Sequence, residues 1–386
     1  MSQRANASPW LVPSDMSRPG PNNFDAIRLA MALFVVWSHC FAIYFGTEEN
    51  EPISRLLNGH FNAGNIGVRV FFIISGYLIT RSYLHSRGNA DYLLKRVRRI
   101  YPGFFVATAI CTFVVVPLFA TAGWALVTPA AIMGWFVRAI TLYQEIPSAD
   151  AFGGKNVNGA LWSIRFEFWC YIGVAALGML RLLDKRRLVL MALCGVMLVK
   201  CWLDLTGRRP GGGLIELIFG WPYIWFSIAP YFLVGMVAFL YGPRIPRKPT
   251  LLAGLAAILL ASAYVPGKAS VLFDLVAPFV FAYIVFYLAF SSRFHLSGIT
   301  RFGDLSYGVY LYGFPVQLMV KAELDLSFPA YMAACMALSV GAGMLSWNVV
   351  EKWFLRKRKP RPAATVGAAQ GVLQPEAVER LRPEPS

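Results

Sequence analysis

Phe24-Asp25-Ala26-Ile27-Arg28-Leu29-Ala30-Met31-Ala32-Leu33-Phe34-Val35-Val36-Trp37-Ser38-His39-Cys40 opens an apolar run long enough to cross a bilayer, yet it holds an arginine and a histidine. Arg28 and His39 are eleven positions apart, about three helical turns, so a helix presents both on one side. At 1.5 Å per residue they are separated by about 16 Å along the axis, one near a membrane surface and the other past the middle of the hydrocarbon. Two readings fit. In one, Arg28 snorkels to the interface and His39 bonds a neighbouring helix. In the other, a site runs through the membrane, with a cation at its mouth and a titratable base at its centre. Ionisable groups at such depth usually face a bundle interior or a wet cavity and mark function.

The rest of the chain has the same character. Of 386 residues, 57% are hydrophobic and 15% charged, and the mean hydropathy is +0.54. That is too apolar for a soluble enzyme and fits a polytopic, all-α membrane protein. The net charge of +16 does not indicate nucleic acid, because lysines and arginines gather in short loops between apolar segments. Six cysteines lie in or beside those segments without a Cys-x-x-Cys pair, which suggests neither a metal site nor a disulfide framework. Cys40 beside His39 is no nucleophile–base pair, since adjacent helical residues point apart.

The hydrophobic pattern predicts about ten spans, at 26–45, 64–83, 100–122, 160–181, 188–205, 220–240, 250–266, 269–290, 304–321 and 328–350. The stretch 128–143 is apolar but short and carries Arg138, so it reads as interfacial or re-entrant. Alternate loops are basic: Arg81 to Arg99, Arg181 to Arg187, Arg244 to Lys248, and Arg293 with Arg301. The intervening loops hold Glu48, Glu49 and Glu51, then Glu145, Asp150 and Lys155, then Glu323 and Asp325, with Arg208 and Arg209 the one basic pair out of place. This alternation implies cytoplasmic termini, with the first span as an uncleaved signal anchor. It divides the chain into a cytoplasmic segment 1–23, a membrane domain 24–355 and a basic, Pro- and Ala-rich disordered tail 356–386.

Four further stretches carry polar groups suited to chemistry. Gly67 to Thr80 includes Arg69 and the pair Ser75-Gly76, a small surface for close approach of a helix or of a thin substrate. Arg69 either contacts an acceptor or snorkels. Arg96, Arg98 and Arg99, with Lys95, precede Tyr101-Pro102; they are ordinary loop charge or a grip on a phosphorylated ligand. Asn158 to Trp169 includes Trp162, Arg165 and Glu167, and the predicted depth of Glu167 matches that of His39, as for a base and its orienting partner. Gly303 to Gln317 sets Tyr307 and Tyr310 on one face, to line a pocket or to pack, and Pro315 should kink the helix and free a carbonyl.

Taken together, these motifs resemble the acyltransferase 3 family of bacterial inner-membrane proteins, which O-acetylate polysaccharides, lipopolysaccharide O-antigens and Nod factors. The matching features are Phe24-Asp25 with Arg28-x10-His39, Gly67-Val-x-x-Phe-Phe-x-x-Ser75-Gly76 and Arg96-x-x-Arg99 before Tyr101-Pro102. Leu161-Trp162-Ser163-x-x-x-Glu167, Ser306-Tyr307-x-x-Tyr310-Leu-Tyr312 and Val350-Glu351-Lys352 complete the set, in family order. Arg69 stands where many relatives have an acidic residue, and Tyr312-Gly313-Phe314-Pro315 where many have a histidine. The latter variant is closer to the exopolysaccharide and Nod-factor branch, and the chain reads as a stand-alone acyltransferase domain.

The resemblance implies a cytoplasmic acyl-CoA donor, most often acetyl-CoA, as co-substrate with no bound cofactor and no metal. It implies CoA phosphates on Arg28, Arg96, Arg98 and Arg99, and His39 as general base or acyl relay with Glu167 beside it. A glycan acceptor would meet a pocket among Arg69, Ser75, Gly76, Trp162, Tyr307 and Tyr310. A glycan or lipid transporter, or a membrane scaffold, are the competing classes; acyl-CoA-dependent labelling of a glycan separates them.

Overall fold

The computed structural model describes residues 11–12, 22–291 and 303–355. The segment 1–23, apart from residues 11, 12, 22 and 23, lies outside the described residues, as do Arg293, Arg301 and the tail 356–386. Among the described residues the chain is helical, without a strand.

Helices occur at all ten predicted positions, and the bounds differ by a turn or more at a few. They are α1 (Phe24–Phe45), α3 (Ala63–Leu84), α4 (Asn89–Ile110), α7 (Trp162–Met179), α8 (Arg186–Thr206), α10 (Pro222–Tyr241), α11 (Pro249–Ala263), α12 (Val271–Ala289), α13 (Ser306–Glu323) and α14 (Phe328–Ser346). Shorter pieces are α2 (Pro52–Leu56), α5 (Val116–Phe119), α6 (Pro129–Ile140), α9 (Gly213–Phe219) and α15 (Lys352–Leu355). Among the described residues seven helices are long and apolar enough to cross a membrane, so the molecule is a multi-pass membrane protein. The other three of the expected ten fall short for separate reasons. Helix α11 has 15 residues. Helices α7 and α13 each have 18, but one carries Arg165 and Glu167 and the other is rich in tyrosine and glycine.

Helix α4 begins eleven residues before the predicted span and runs through a π-helical segment, Cys111–Val115, into α5. The basic run is therefore helical rather than a loop. Arg96 and Arg99, three apart, share a face turned toward the bundle, and Arg98 is exposed. Helix α6 has 12 residues, too short to span, and most of its large apolar side chains are exposed, which suits the interfacial position expected of 128–143.

Helix α3 lies at the centre, and glycines set its crossings. At its meeting with α10, a Cβ on Gly76 would stand 2.0 Å from the Phe232 carbonyl oxygen, and one on Gly235 2.1 Å from that of Ile73. The two backbones touch there, as small residues allow in helix pairs. On another face, Gly64 packs on Ser38 and Gly67 on Met31 and Val35 of α1. The ring of Phe24 contacts that of Tyr77 at 5.5 Å. These contacts make α1 and α3 antiparallel and set the relative depth of every residue on them.

The predicted consequence of Pro315 is found without a break in α13. Proline supplies no N–H to the carbonyl four residues earlier. That carbonyl, of Leu311, accepts a 2.8 Å hydrogen bond from Asn158 Nδ2. To reach it the segment before α7 enters the bundle: Val157, Asn158, Ala160 and Leu161 are all buried.

Candidate active site

At one end of the bundle, where α1 begins, Arg28 Nη1 and Arg99 Nη2 both donate to Asp304 Oδ2, at 2.7 and 2.5 Å. Ser306 Oγ donates to the other oxygen at 2.5 Å. Arg99 Nη1 lies 3.9 Å from Glu351, which is buried and accepts from Ser346 Oγ at 2.9 Å. Glu351 ends a π-helical segment, Trp347–Glu351, that continues α14, a distortion frequently found at functional sites. Helices α1 and α4, the residues just before α13 and the π-helical end of α14, all distant in sequence, thus deliver two cations and two carboxylates to one point. Arg96 stands one turn away with its guanidinium 5.8 Å from the rings of Tyr92 and Tyr171, and its Nε is buried without a partner. Of the four expected phosphate ligands, Arg28 and Arg99 meet, Arg96 is adjacent, and Arg98 is turned to the exterior.

His39 lies on the same helix toward the opposite end, half-buried, with its ring edge-on to Phe314 at 5.0 Å. Among the described residues it makes no hydrogen bond. Its neighbours Trp37 Nε1 and Ser38 Oγ are buried donors that also lack partners. This is a local concentration of unused polar groups, in a setting where such groups are normally paired.

Glu167 is not beside it. Ser75 Oγ donates to Glu167 Oε1 at 2.6 Å and Tyr171 Oη donates to the same oxygen at 2.5 Å. Ser75 is eleven residues along α3 from Gly64, which packs against Ser38, a rise of about 16 Å. Glu167 is therefore near the depth of Arg28, and the expected match with His39 fails. The cause is the buried segment before α7: the helix starts inside the bundle, and Glu167 is carried deeper than a start at the surface would put it.

The other expected pocket residues are spread over different contacts. Tyr307 Oη donates to the Ile100 carbonyl at 2.7 Å. Tyr310 Oη shares a 2.7 Å hydrogen bond with Ser163 Oγ and donates to the Ala160 carbonyl. These hydroxyls brace α13 against α4 and α7. Trp162 sits at the first turn of α7 with its ring 5.9 Å from that of Phe166. Gly76 is covered by α10, and Arg69 points away from α1, toward α10. Arg165 does not pair with Glu167; its Nη1 reaches the Leu217 carbonyl at 3.3 Å, near the C-terminus of α9, with the ring of Tyr143 at 4.7 Å.

Sequence reasoning left Asp304, Glu351, Tyr171 and Asn158 without roles. Tyr171 carried a signal, as the i+4 neighbour of Glu167. Asp304 and Glu351 were visible within motifs, but nothing local tied them to Arg99.

The fold and these two groups of residues define a multi-pass membrane protein with an ionic cluster at one end of α1 and an unpartnered imidazole further along it. A family model described as an acyltransferase domain matches residues 22–348, and the chain belongs to that family, acyltransferase 3. It is 30% identical over 356 residues to the O-acetyl transferase of Shigella phage Sf6, covering 88% of this chain and 98% of that one. It is 26% identical over 375 residues to nodulation protein 10 of Rhizobium leguminosarum bv. viciae, covering 90% and 97%. A shorter match, 29% over 174 residues, covers 41% of this chain and 26% of the putative peptidoglycan O-acetyltransferase YrhL of Bacillus subtilis (strain 168). No solved structure gives a significant match. The protein is a membrane O-acyltransferase.

Proposed function

We propose that the protein moves an acyl group, acetyl, from acyl-CoA to a hydroxyl of a cell-surface or secreted glycan. The observation that carries this is the layout of α1: arginines converge at one end, and about 16 Å along the same helix stands an imidazole with no partner of its own. The peptidoglycan O-acetyltransferase among the relatives supports a saccharide acceptor.

In this reading the basic loops lie on the cytoplasmic side of a bacterial inner membrane and both termini are cytoplasmic. Arg28, Arg96 and Arg99 bind the phosphates of CoA, which takes over the place of Asp304 on Arg28 and Arg99. The thioester arm follows α1 to His39. His39 Nε2 or Nδ1 takes the proton of a sugar hydroxyl as its oxygen attacks the thioester carbonyl; the C–S bond breaks and the CoA thiolate leaves with that proton. In a relay, an imidazole nitrogen attacks the thioester carbonyl, the C–S bond breaks and the CoA thiolate leaves; the sugar oxygen then displaces the imidazole from the acyl group, and the hydroxyl proton passes to the thiolate. Glu167, held by Ser75 and Tyr171, borders the path of the arm rather than orienting the imidazole.

The test compares O-acetyl content of surface glycan by NMR in a deletion strain, the same strain with wild type restored, and with His39→Ala expressed at equal level. Acetyl signals that vanish, return with wild type and stay absent with His39→Ala support the reading. Full restoration by His39→Ala would overturn the role of His39. A fall in glycan amount with unchanged acetylation would favour transport instead.

A further inference from the structure

Arg69 points into a cavity of about 260 Å³ at the end of the bundle opposite Arg28, where α8 ends and α3, α10 and α12 begin. On a helix, Arg69 is about 200° around from Gly67, which faces α1. The cavity and His39 therefore flank α3 on opposite sides, and none of the polar groups around His39 lines it.

Its charges are arranged unequally. Lys200 contacts both Asp204 and Asp274, the latter at 3.1 Å, and Tyr223 Oη donates to Asp204 at 2.8 Å. Arg209 reaches Asp204 from the rim at 3.3 Å. Arg69 has no carboxylate within ion-pair distance among the described residues. It bonds Asn65, one turn back on its own helix, at 2.7 Å to the side chain, and the side chain of Tyr231, both uncharged. Its guanidinium lies 3.9 Å from the ring centre of Phe61 and 5.4 Å from that of Tyr231, and its Nε is buried without a partner. The lining holds two cations, Arg69 and Lys200, and two carboxylates, and because Lys200 engages both carboxylates Arg69 is the cation left without an anion. Charged groups within membrane segments normally pair or serve a ligand.

We propose that this cavity binds one acidic sugar unit of the glycan, a pyranose bearing a carboxylate, with the carboxylate on Arg69. The proposal rests on the reading of the protein as a glycan acyltransferase. Size fits a single unit, since pockets for larger ligands begin at about 300 Å³. Aromatic rings interleaved with charged groups suit a pyranose, with its apolar face and hydroxyl edges, and Asp274, the more open of the two carboxylates at 31% against 11% exposure, accepts from hydroxyls.

The test is isothermal titration of the full chain in nanodiscs with cellobiouronic acid and, separately, with cellobiose. Wild type should bind the acidic disaccharide at least about tenfold more tightly, the worth of a charge-assisted pair. Arg69→Gln should erase that preference, so that the two disaccharides bind with comparable affinity, and Arg69→Lys should retain part of it. His39→Ala should keep it, because the readout is binding and not transfer. Equal binding of both sugars by wild type, or a preference that persists in Arg69→Gln, overturns the proposal even if Arg69→Lys cannot be recovered folded. A preference that holds in a protein unable to acetylate glycan sinks the acyltransferase reading and leaves the site standing.

Discussion

Asp304 is shared by two guanidiniums and by Ser306, and with Glu351 it balances the charge of Arg28 and Arg99. Removing the carboxylate leaves two partly buried cations side by side, and breaking such a pair costs about 3–5 kcal/mol when burial is complete. Asp304→Asn should therefore lower the unfolding midpoint in detergent, and CoA should recover part of the loss by supplying phosphate to the same arginines. A midpoint unmoved by either change would show that the cluster neither stabilises the fold nor binds CoA. His39 is the opposite case, a side chain that among the described residues has Phe314 as its one ring contact and no hydrogen bond. His39→Ala breaks no hydrogen bond or ion pair and should lower that midpoint less than Asp304→Asn does, yet reduce acetyl transfer from acetyl-CoA by about 10²–10⁴-fold. A parallel fall in stability and turnover would make His39 structural.

At the scale of the element, helix crossings and the repair at Pro315 decide what can be changed. Gly76→Leu puts a side chain where the α10 backbone already lies, whereas Gly254→Leu on α11 meets open space. Size-exclusion profiles should show aggregated protein for the first and a normal peak for the second; the reverse would contradict the described crossing. Asn158→Ala leaves the Leu311 carbonyl unsatisfied and should cost about 1–3 kcal/mol. Adding Pro315→Ala to it restores an N–H to that carbonyl, so the double variant should be more stable than Asn158→Ala alone in thermal unfolding. The helices themselves were legible, because runs of apolar residues need no tertiary information to be read. Proline's freed carbonyl was legible too. Its partner was not: Asn158 lies 153 residues earlier, and no local pattern joins them. The depth of Glu167 was misread for the same reason, since the entry of residues 157–161 into the bundle is dictated by that distant carbonyl.

For the whole molecule, alternating loop charge gives an orientation that burial does not encode. In a cysteine-free background, an impermeant thiol reagent applied to intact cells should label a cysteine at position 49 and spare one at position 87 until the cells are permeabilised. The reverse pattern would put the Arg28 cluster outside the cytoplasm and away from acyl-CoA. The way distant segments meet has a further consequence, for manufacture of the chain. Asn158 leaves the ribosome 153 residues ahead of its partner, roughly 8–30 s at 5–20 residues per second. During that interval the stretch before α7 has only a weak acceptor among the described residues, Cys111 Sγ at 3.9 Å, to hold its amide. A cysteine at position 158 should be open to thiol reagents in chains arrested before residue 311 and closed in finished ones. The centre of the bundle stays unsealed until most of the protein has been made.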